Sequence, residues 1–210
     1  MKRQIKALCT TALLTLSVSG FAANFCDELP KTTDLVTVGS KKVLLSGNTV
    51  NVGDKAPDFK VIDEKFRPVY LSNFTGKTVL ISVVPSLDTG VCSLQTKRFN
   101  ESVAELPDDV VMLTISTDLP FAQKRFCQIE NVDKLQVLSD SVWRNFGASY
   151  GMLITDMGLL ARSIWVIKPD GTVGYKEIVE QLSNHPDYDK ALNAVRTVAG
   201  QHTSLNKQAD

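Results

Sequence analysis

Four cysteines punctuate the chain, Cys9, Cys26, Cys92 and Cys127, and Cys92 stands where a thiol could act as a nucleophile. It closes the stretch Val79-Leu-Ile-Ser-Val-Val-Pro-Ser-Leu-Asp-Thr-Gly-Val-Cys92. After it, Leu94, Phe99, Val103 and Leu106 recur at roughly helical spacing, so a helix is expected to begin near Cys92. Thr89 is a good N-cap residue type. A helix start carries unsatisfied N–H groups and a partial positive charge, and both favour a thiolate over a thiol. A free thiol with a pKa of about 8.5 is only a few per cent ionised at neutral pH, whereas helix N-termini bring thiols to ~3.5–7.5. The thiolate is the nucleophile. The plainer alternative is a small buried hydrophobe.

The elements that must position this thiol are legible around it. Val79 to Val84 is a continuous apolar, β-branched run, the pattern of a strand buried on both faces. Pro85 stops the strand, having no N–H for the ladder, and Ser86 to Gly90 make a turn. A strand therefore delivers Cys92 to the first turn of a helix. Val110–Ile115 reads as a second buried strand, followed by a helix over Pro120–Glu130 that carries Cys127. Leu35–Val38 and Lys42–Leu45 read as a hairpin about Gly39-Ser40, Phe59–Ile62 as a strand, and Tyr70–Phe74 as one helical turn. Leu135–Leu138 is a short strand, and Val142–Phe146 is placed in a helix. Ser163–Ile167 and Val173–Ile178 flank the turn Pro169-Asp-Gly171 as a hairpin, and Tyr188–Val198 is the last helix.

Other candidate residues divide into a few that matter and several decoys. Arg162 precedes the apolar run Ser163–Ile167, and an arginine beside an interior strand must be paired or lie at a solvated strand end. Arg98 and Arg125 read as solvated helix-face charges. Gly147-Ala-Ser-Tyr-Gly151 fits the Gly-x-Ser-x-Gly pattern but follows a helical segment, where a nucleophile elbow needs a preceding strand. The two histidines, His185 and His202, fall in a loop and the tail, which disfavours a Ser-His or Cys-His pair. No Cys-x-x-Cys, zinc-ligand spacing or glycine-rich phosphate loop occurs, so neither a metal nor a cofactor is expected.

Pro85-x-x-x-Thr89-x-x-Cys92 resembles the active-site pattern of the peroxiredoxin family. The string Ser86-Leu-Asp-Thr-Gly-Val-Cys92 is more specifically similar to its atypical two-cysteine branch, the bacterial thiol peroxidases. Ser116-Thr-Asp-Leu-Pro-Phe-Ala-Gln-Lys-Arg-Phe-Cys127 resembles that branch's resolving-cysteine helix, and Leu160–Ile167 the strand with the family's active-site arginine. The resemblance spans about Val36 to Ala199. It implies a peroxidase in which Cys92 attacks the peroxide and becomes a sulfenic acid, which condenses with Cys127. It further implies that Thr89 bonds both sulfur and peroxide, that Arg162 favours the thiolate and orients the substrate, and that Pro85 shields the site. From the residues alone, Thr89 could only cap the helix, Arg162 could be a surface charge, and any bond to Cys127 could be structural. The resemblance also implies a thioredoxin-like reductant, a homodimer, and a leaning towards alkyl and lipid hydroperoxides. Strands alternating with helices, then a hairpin and helix, fit an α/β thioredoxin-like fold, a central mixed sheet flanked by helices, with an N-terminal β-hairpin extension. A peroxide sensor, or a binding protein with a structural disulfide, are the alternative functions.

The N-terminus reads as a signal peptide over 1–22. Lys2, Arg3 and Lys6 precede an uncharged apolar stretch, and small residues lead to cleavage near Ala22 or Ala23. The apolar stretch of about 15 residues falls short of the ~20 that span a bilayer, so no stable membrane anchor is expected. Export to the periplasm follows, and Cys9 leaves with the leader. Losing those three cations takes the formal charge from +0 to −3, which disfavours a nucleic-acid partner. About 188 residues remain, enough for one domain with a full core. Residues 23–34 read as a polar arm, 35–199 as the domain and 200–210 as a frayed polar tail. Cys26, in the arm, is expected to be unpaired within the monomer and dispensable.

Overall fold

The structure, a computed structural model, describes residues 28–209, with side chains described to residue 201. The expected signal peptide and Cys26 lie outside the described residues.

Short strands open the described chain: β1 (Lys31–Thr32), β2 (Thr37–Val38), β3 (Lys41–Lys42) and β4 (Leu45–Ser46). β2 and β3 form the expected hairpin about Gly39, whose φ of +60° suits glycine. The arm is not simply loose polar chain, because β1 pairs with β4 through Lys31–Ser46 and Thr32–Leu45. Next come β5 (Lys60–Ile62), β6 (Pro68–Tyr70), a 3-10 turn at Leu71–Phe74, and the central strand β7 (Thr78–Val83). Helix α1 (Gly90–Ser102), β8 (Val110–Ser116), α2 (Pro120–Glu130) and β9 (Gln136–Ser139) follow. Helix α3 spans Asn145–Tyr150, so Val142 and Trp143 lie in a turn where a helix was expected; left-handed Arg144 (φ +51°) stands at the helix N-cap. Two unforeseen pieces, β10 (Leu153–Ile154) and β11 (Leu159–Leu160), join β1 and β4 in a four-stranded sheet. The chain ends with β12 (Ser163–Ile167), β13 (Val173–Ile178) and α4 (Tyr188–Ala209). Thus α4 runs through the stretch read as a frayed tail.

The main sheet has seven strands in the order β13-β12-β7-β8-β9-β5-β6. β7, β8 and β9 are parallel neighbours, and the outer strands are antiparallel. This is the mixed thioredoxin-like sheet. All six β7 residues are buried, as its apolar run requires. Alternation sends Val79, Ile81 and Val83 to one core with Phe146 and Tyr150 of α3, and Leu80 to another with Phe99 of α1, Phe126 of α2 and Val195 of α4. Helices therefore cover both faces, each buried aliphatic side chain adding ~1.5–3 kcal/mol. The second core includes Leu87 and Cys92, which ties the Cys92 thiol to the packing of α1.

Candidate active site

The ladder continues one residue past β7, with the Val84 N–H donating to the Ile115 carbonyl at 3.0 Å, and buried Pro85 then ends it. Leu87 is 3 % exposed and pins the turn to the core. Helix α1 begins at Gly90, so Cys92 lies in its first turn, fully buried.

Thr89 occupies the N-cap position with extended backbone, but its side chain makes no cap bond. The expectation that its hydroxyl also caps the helix is corrected. That hydroxyl lies 2.8 Å from Cys92 Sγ and 3.0 Å from the Ser86 carbonyl. A hydroxyl has one proton, so it can donate to only one of them. With a thiolate it donates to sulfur. With a thiol, the S–H donates to Thr89 Oγ1 and the hydroxyl turns to Ser86. The group that holds the sulfur can thus follow its protonation state.

Arg162 is 2 % exposed, and the reading of it as a surface charge fails. Its three nitrogens are separately committed: Nε donates to the Leu182 carbonyl at 3.0 Å, Nη1 to Gln95 Oε1 at 2.7 Å, and Nη2 meets Cys92 Sγ at 3.3 Å. None of the ion pairs among the described residues involves it. A buried guanidinium without a carboxylate is costly, and the Cys92 sulfur at 3.3 Å is within reach of it.

Gln95 escaped sequence analysis. It is fully buried on α1, three residues after Cys92 and on the same helix face. Its Nε2 donates to Ser82 Oγ at 2.8 Å, leaving Oε1 for Arg162. Ser82, Gln95, Arg162 and Cys92 so form one chain of contacts from β7 to the sulfur. A polar residue at that spacing was the available signal, but glutamine at helical positions is ordinarily solvent-facing.

Arg98 is not simply solvated. Its guanidinium lies 4.0 Å from the centre of the Tyr188 ring and pairs with Asp189 at 3.7 Å. Burial raises the Tyr188 phenol; the charges of Arg98 and Arg162 pull it down and Cys92 pushes it up. Its hydroxyl shares a 2.7 Å hydrogen bond with His185 Nδ1. Arg125 is exposed, as expected.

Cys127 sits on α2, whose bounds match the expected helix, with Pro120 at its start. Both Cys92 and Cys127 are free thiols. Thr89, Gly90 and Ser93 share a groove with Arg125, Phe126 and Ile129 of α2. Cys127 lines a different cavity of about 420 Å³, shared with Asp63, Glu64 and Arg67 beyond β5. Burial pushes its thiol up to about 11, with the Glu64 charge adding to the effect. In this fold Cys127 is therefore held as a neutral thiol, in a cavity other than the groove beside Thr89.

The decoys stay decoys. Gly147–Tyr150 lies inside α3, with Gly151 as its left-handed cap, so no strand-to-helix elbow exists there. No cluster of three potential metal ligands occurs among the described residues.

A model of the redoxin family matches residues 51–192. The thiol peroxidase of Halalkalibacterium halodurans is 48% identical over 161 residues, covering 77% of this chain and 96% of that protein. The thiol peroxidase of Bacillus subtilis is 45% identical over 163 residues, covering 78% and 97%. Among solved structures, a peroxiredoxin-like protein from Aquifex aeolicus superposes with a TM-score of 0.75 at 35% identity, covering 80% of this chain and 98% of that one. The thiol peroxidase of Chromobacterium violaceum shares the fold, with a TM-score of 0.70 at 22% identity, covering 79% and 97%.

Proposed function

The chain belongs to the redoxin family and is a thiol-dependent peroxidase, and from that premise we propose the cycle by which it works. The Cys92 thiolate attacks the distal oxygen of a hydroperoxide. The O–O bond breaks, sulfur keeps that oxygen as a sulfenic acid, and the other oxygen leaves with a proton as an alcohol or water. Negative charge moves from sulfur to the leaving oxygen. Arg162 Nη2 and the Thr89 hydroxyl, both on the sulfur, are placed to follow that charge. Gln95 and the Leu182 carbonyl hold the guanidinium in place. Pro85 shields the back of the site. The Cys127 thiol then condenses with the sulfenic acid, forming a disulfide and releasing water. An external dithiol restores both thiols by exchange and leaves oxidised.

The observation that carries this reading is a buried arginine whose available counter-charge is the sulfur of Cys92. The enzyme acts in the periplasm after cleavage of residues 1–22, with a thioredoxin-like dithiol protein of that compartment as reductant, and as a homodimer. No helix among the described residues is long and apolar enough to cross a membrane. Turnover tests the cycle. With excess dithiol the protein should consume many equivalents of peroxide, where a sensor consumes about one and a binding protein none. Cys92→Ser should abolish consumption, and Cys127→Ser should keep one equivalent but block disulfide recycling. Single-turnover consumption surviving in Cys92→Ser would overturn the assignment of the nucleophile.

A further inference from the structure

Asp118 hydrogen-bonds to the turn that leads to Cys92 and stands just before the helix that carries Cys127. Its carboxylate gathers three donors. Ser86 Oγ donates to Oδ1 at 2.7 Å, while the Leu87 N–H and Ser116 Oγ both donate to Oδ2 at 2.8 Å. Its carbonyl accepts from Ser139 Oγ at 2.6 Å, and its N–H reaches Ser116 Oγ at 3.3 Å. No ion pair among the described residues involves it, so its charge is met by these hydrogen bonds.

Followed in one direction, the network reaches the nucleophile. Ser86 and Leu87 belong to the turn before α1, and the Thr89 N–H and hydroxyl both return to the Ser86 carbonyl, at 3.2 and 3.0 Å. That hydroxyl is the one on Cys92 Sγ. Followed in the other direction, it enters α2. Ser116 Oγ accepts from Gln123 Nε2 at 3.0 Å, and the same amide donates to the Leu138 carbonyl at 2.9 Å. Gln123 is 2 % exposed and stands one helical turn before Cys127. One carboxylate therefore joins the segment that carries Cys92 to the helix that carries Cys127.

Condensation of these cysteines needs at least one of the two segments to move. A disulfide requires Cα atoms within ~7 Å and converging Cβ directions. Cys92 is sealed in the core, and Cys127 faces a cavity apart from the groove beside Thr89. When the turn leaves, the Asp118 carboxylate loses the donors of residues 86 and 87 and keeps only Ser116 Oγ, so the charge beside the start of α2 is left with one of its three donors. Opening of one segment weakens the hold on the other. Resting on the two-cysteine cycle above, we propose that Asp118 is a positioning residue that latches the Cys92 turn to the Cys127 helix. It thereby sets how the sulfenic acid divides between two fates. In one, Cys127–SH and Cys92–SOH give the disulfide and water. In the other, a second hydroperoxide oxidises Cys92–SOH to the sulfinic acid and leaves as its alcohol or water.

Asp118→Asn tests the latch, since it removes the charge and leaves one acceptor oxygen where the carboxylate offers two to Ser86, Leu87 and Ser116. Rapid-quench mass spectrometry of the full mature chain should show disulfide formation about tenfold faster than in the parent. At matched peroxide the sulfinic fraction should be about tenfold lower. A partition within twofold of the parent overturns the proposal, even if the variant melts earlier. A second readout does not depend on the cycle. Ser86→Ala alters only the Cys92 side, yet in the reduced protein it should speed amide exchange across Pro120–Glu130. Exchange changes confined to residues 85–92 would overturn the latch, and this variant carries the test if Asp118→Asn does not fold. Peptide mapping of the oxidised parent separates the two claims. A parent without a Cys92–Cys127 bond refutes the cycle, while the exchange result stands or falls on the latch alone.

Discussion

Removing the Arg162 guanidinium should slow the first oxidation of Cys92 by two to three orders of magnitude, about 10²–10³-fold. Two unit charges 3.3 Å apart interact by about 5 kcal/mol at an effective dielectric of ~20. Not all of that is lost in a variant, because water can enter the space and the thiolate is stabilised by Thr89 and the helix start as well. The part felt at the transition state resembles the loss of one donor from an anion-stabilising site, about 2.7–4 kcal/mol, or 10²–10³-fold in rate. Arg162→Met keeps most of the side-chain length and removes the charge. The assay is the second-order rate constant for peroxide consumption in single turnover, read in a Cys127→Ser background so that only the first step is seen. Arg162→Lys is the companion. Its ammonium keeps the charge but cannot hold the Leu182 carbonyl, Gln95 and the sulfur with the same fork, so it should fall between parent and Met. Truncation also leaves the Leu182 carbonyl and Gln95 Oε1 without their donor, a cost of about 1–3 kcal/mol each, so unfolding must be measured alongside. A folded Arg162→Met variant within threefold of the parent rate would refute the reasoning, because the counter-charge would then have no catalytic weight.

Thr89→Val should lower the same rate constant by at least tenfold and Thr89→Ser by no more than a few fold, since only the former removes the hydroxyl on Cys92 Sγ; equal losses would make the methyl group, not the hydroxyl, the functional part. With its thiol raised to about 11, Cys127 should react with iodoacetamide at pH 8 about two hundredfold more slowly than an ordinary cysteine of pKa ~8.5, and normally once the fold is opened by urea; mass-resolved alkylation in a Cys92→Ser background reads this directly. Asp140 offers a pH test of stability, because burial outweighs the Gly147 and Phe146 N–H groups and raises its carboxyl to about 6. The folded value lies above the unfolded one, so the stabilisation this residue contributes is complete below pH ~4 and is lost as pH rises through about 6, a swing of about 3 kcal/mol. Urea unfolding at pH 4 and pH 7 should show this fall in the parent and not in Asp140→Asn; the same fall in both would assign it to other groups.

What was legible in the sequence was set by short-range rules. A β-branched apolar run, a proline that cannot donate and a threonine before a helical pattern suffice to place Cys92 at a helix start, because each acts within a few residues. Pro120 starts α2 for the same reason, and Pro169-Asp-Gly171 closes the β12–β13 hairpin. Two-residue strands carry no period: β2 and β3 were read only because Gly39-Ser40 marks their turn, while β1, β10 and β11 were invisible until the tertiary fold paired them. The helix read at Val142 instead becomes a turn closed by a left-handed arginine, a backbone choice that no side-chain pattern announces. The tail forms helix because α4 is already nucleated and packed when the chain reaches it, so its polar composition decides little.

The site shows the same division. Sequence singled out the thiol, the threonine, the proline and the arginine as candidates, by residue type and by the motifs that resemble the family's. Only tertiary structure decided their relations. Thr89 gives its hydroxyl to a sulfur three residues on instead of to the helix N–H groups. Arg162 is anchored by the Leu182 carbonyl, 20 residues later, and by Gln95, 67 residues earlier. Asp118 meets Ser86 across 32 residues of chain. Hydrogen bonds of that separation depend on which strands become neighbours, here the parallel pairing of β7 with β8 and the antiparallel pairing of β7 with β12. The reactive atom is specified locally, while the charge and the polar contacts that make it useful are brought in by the sheet.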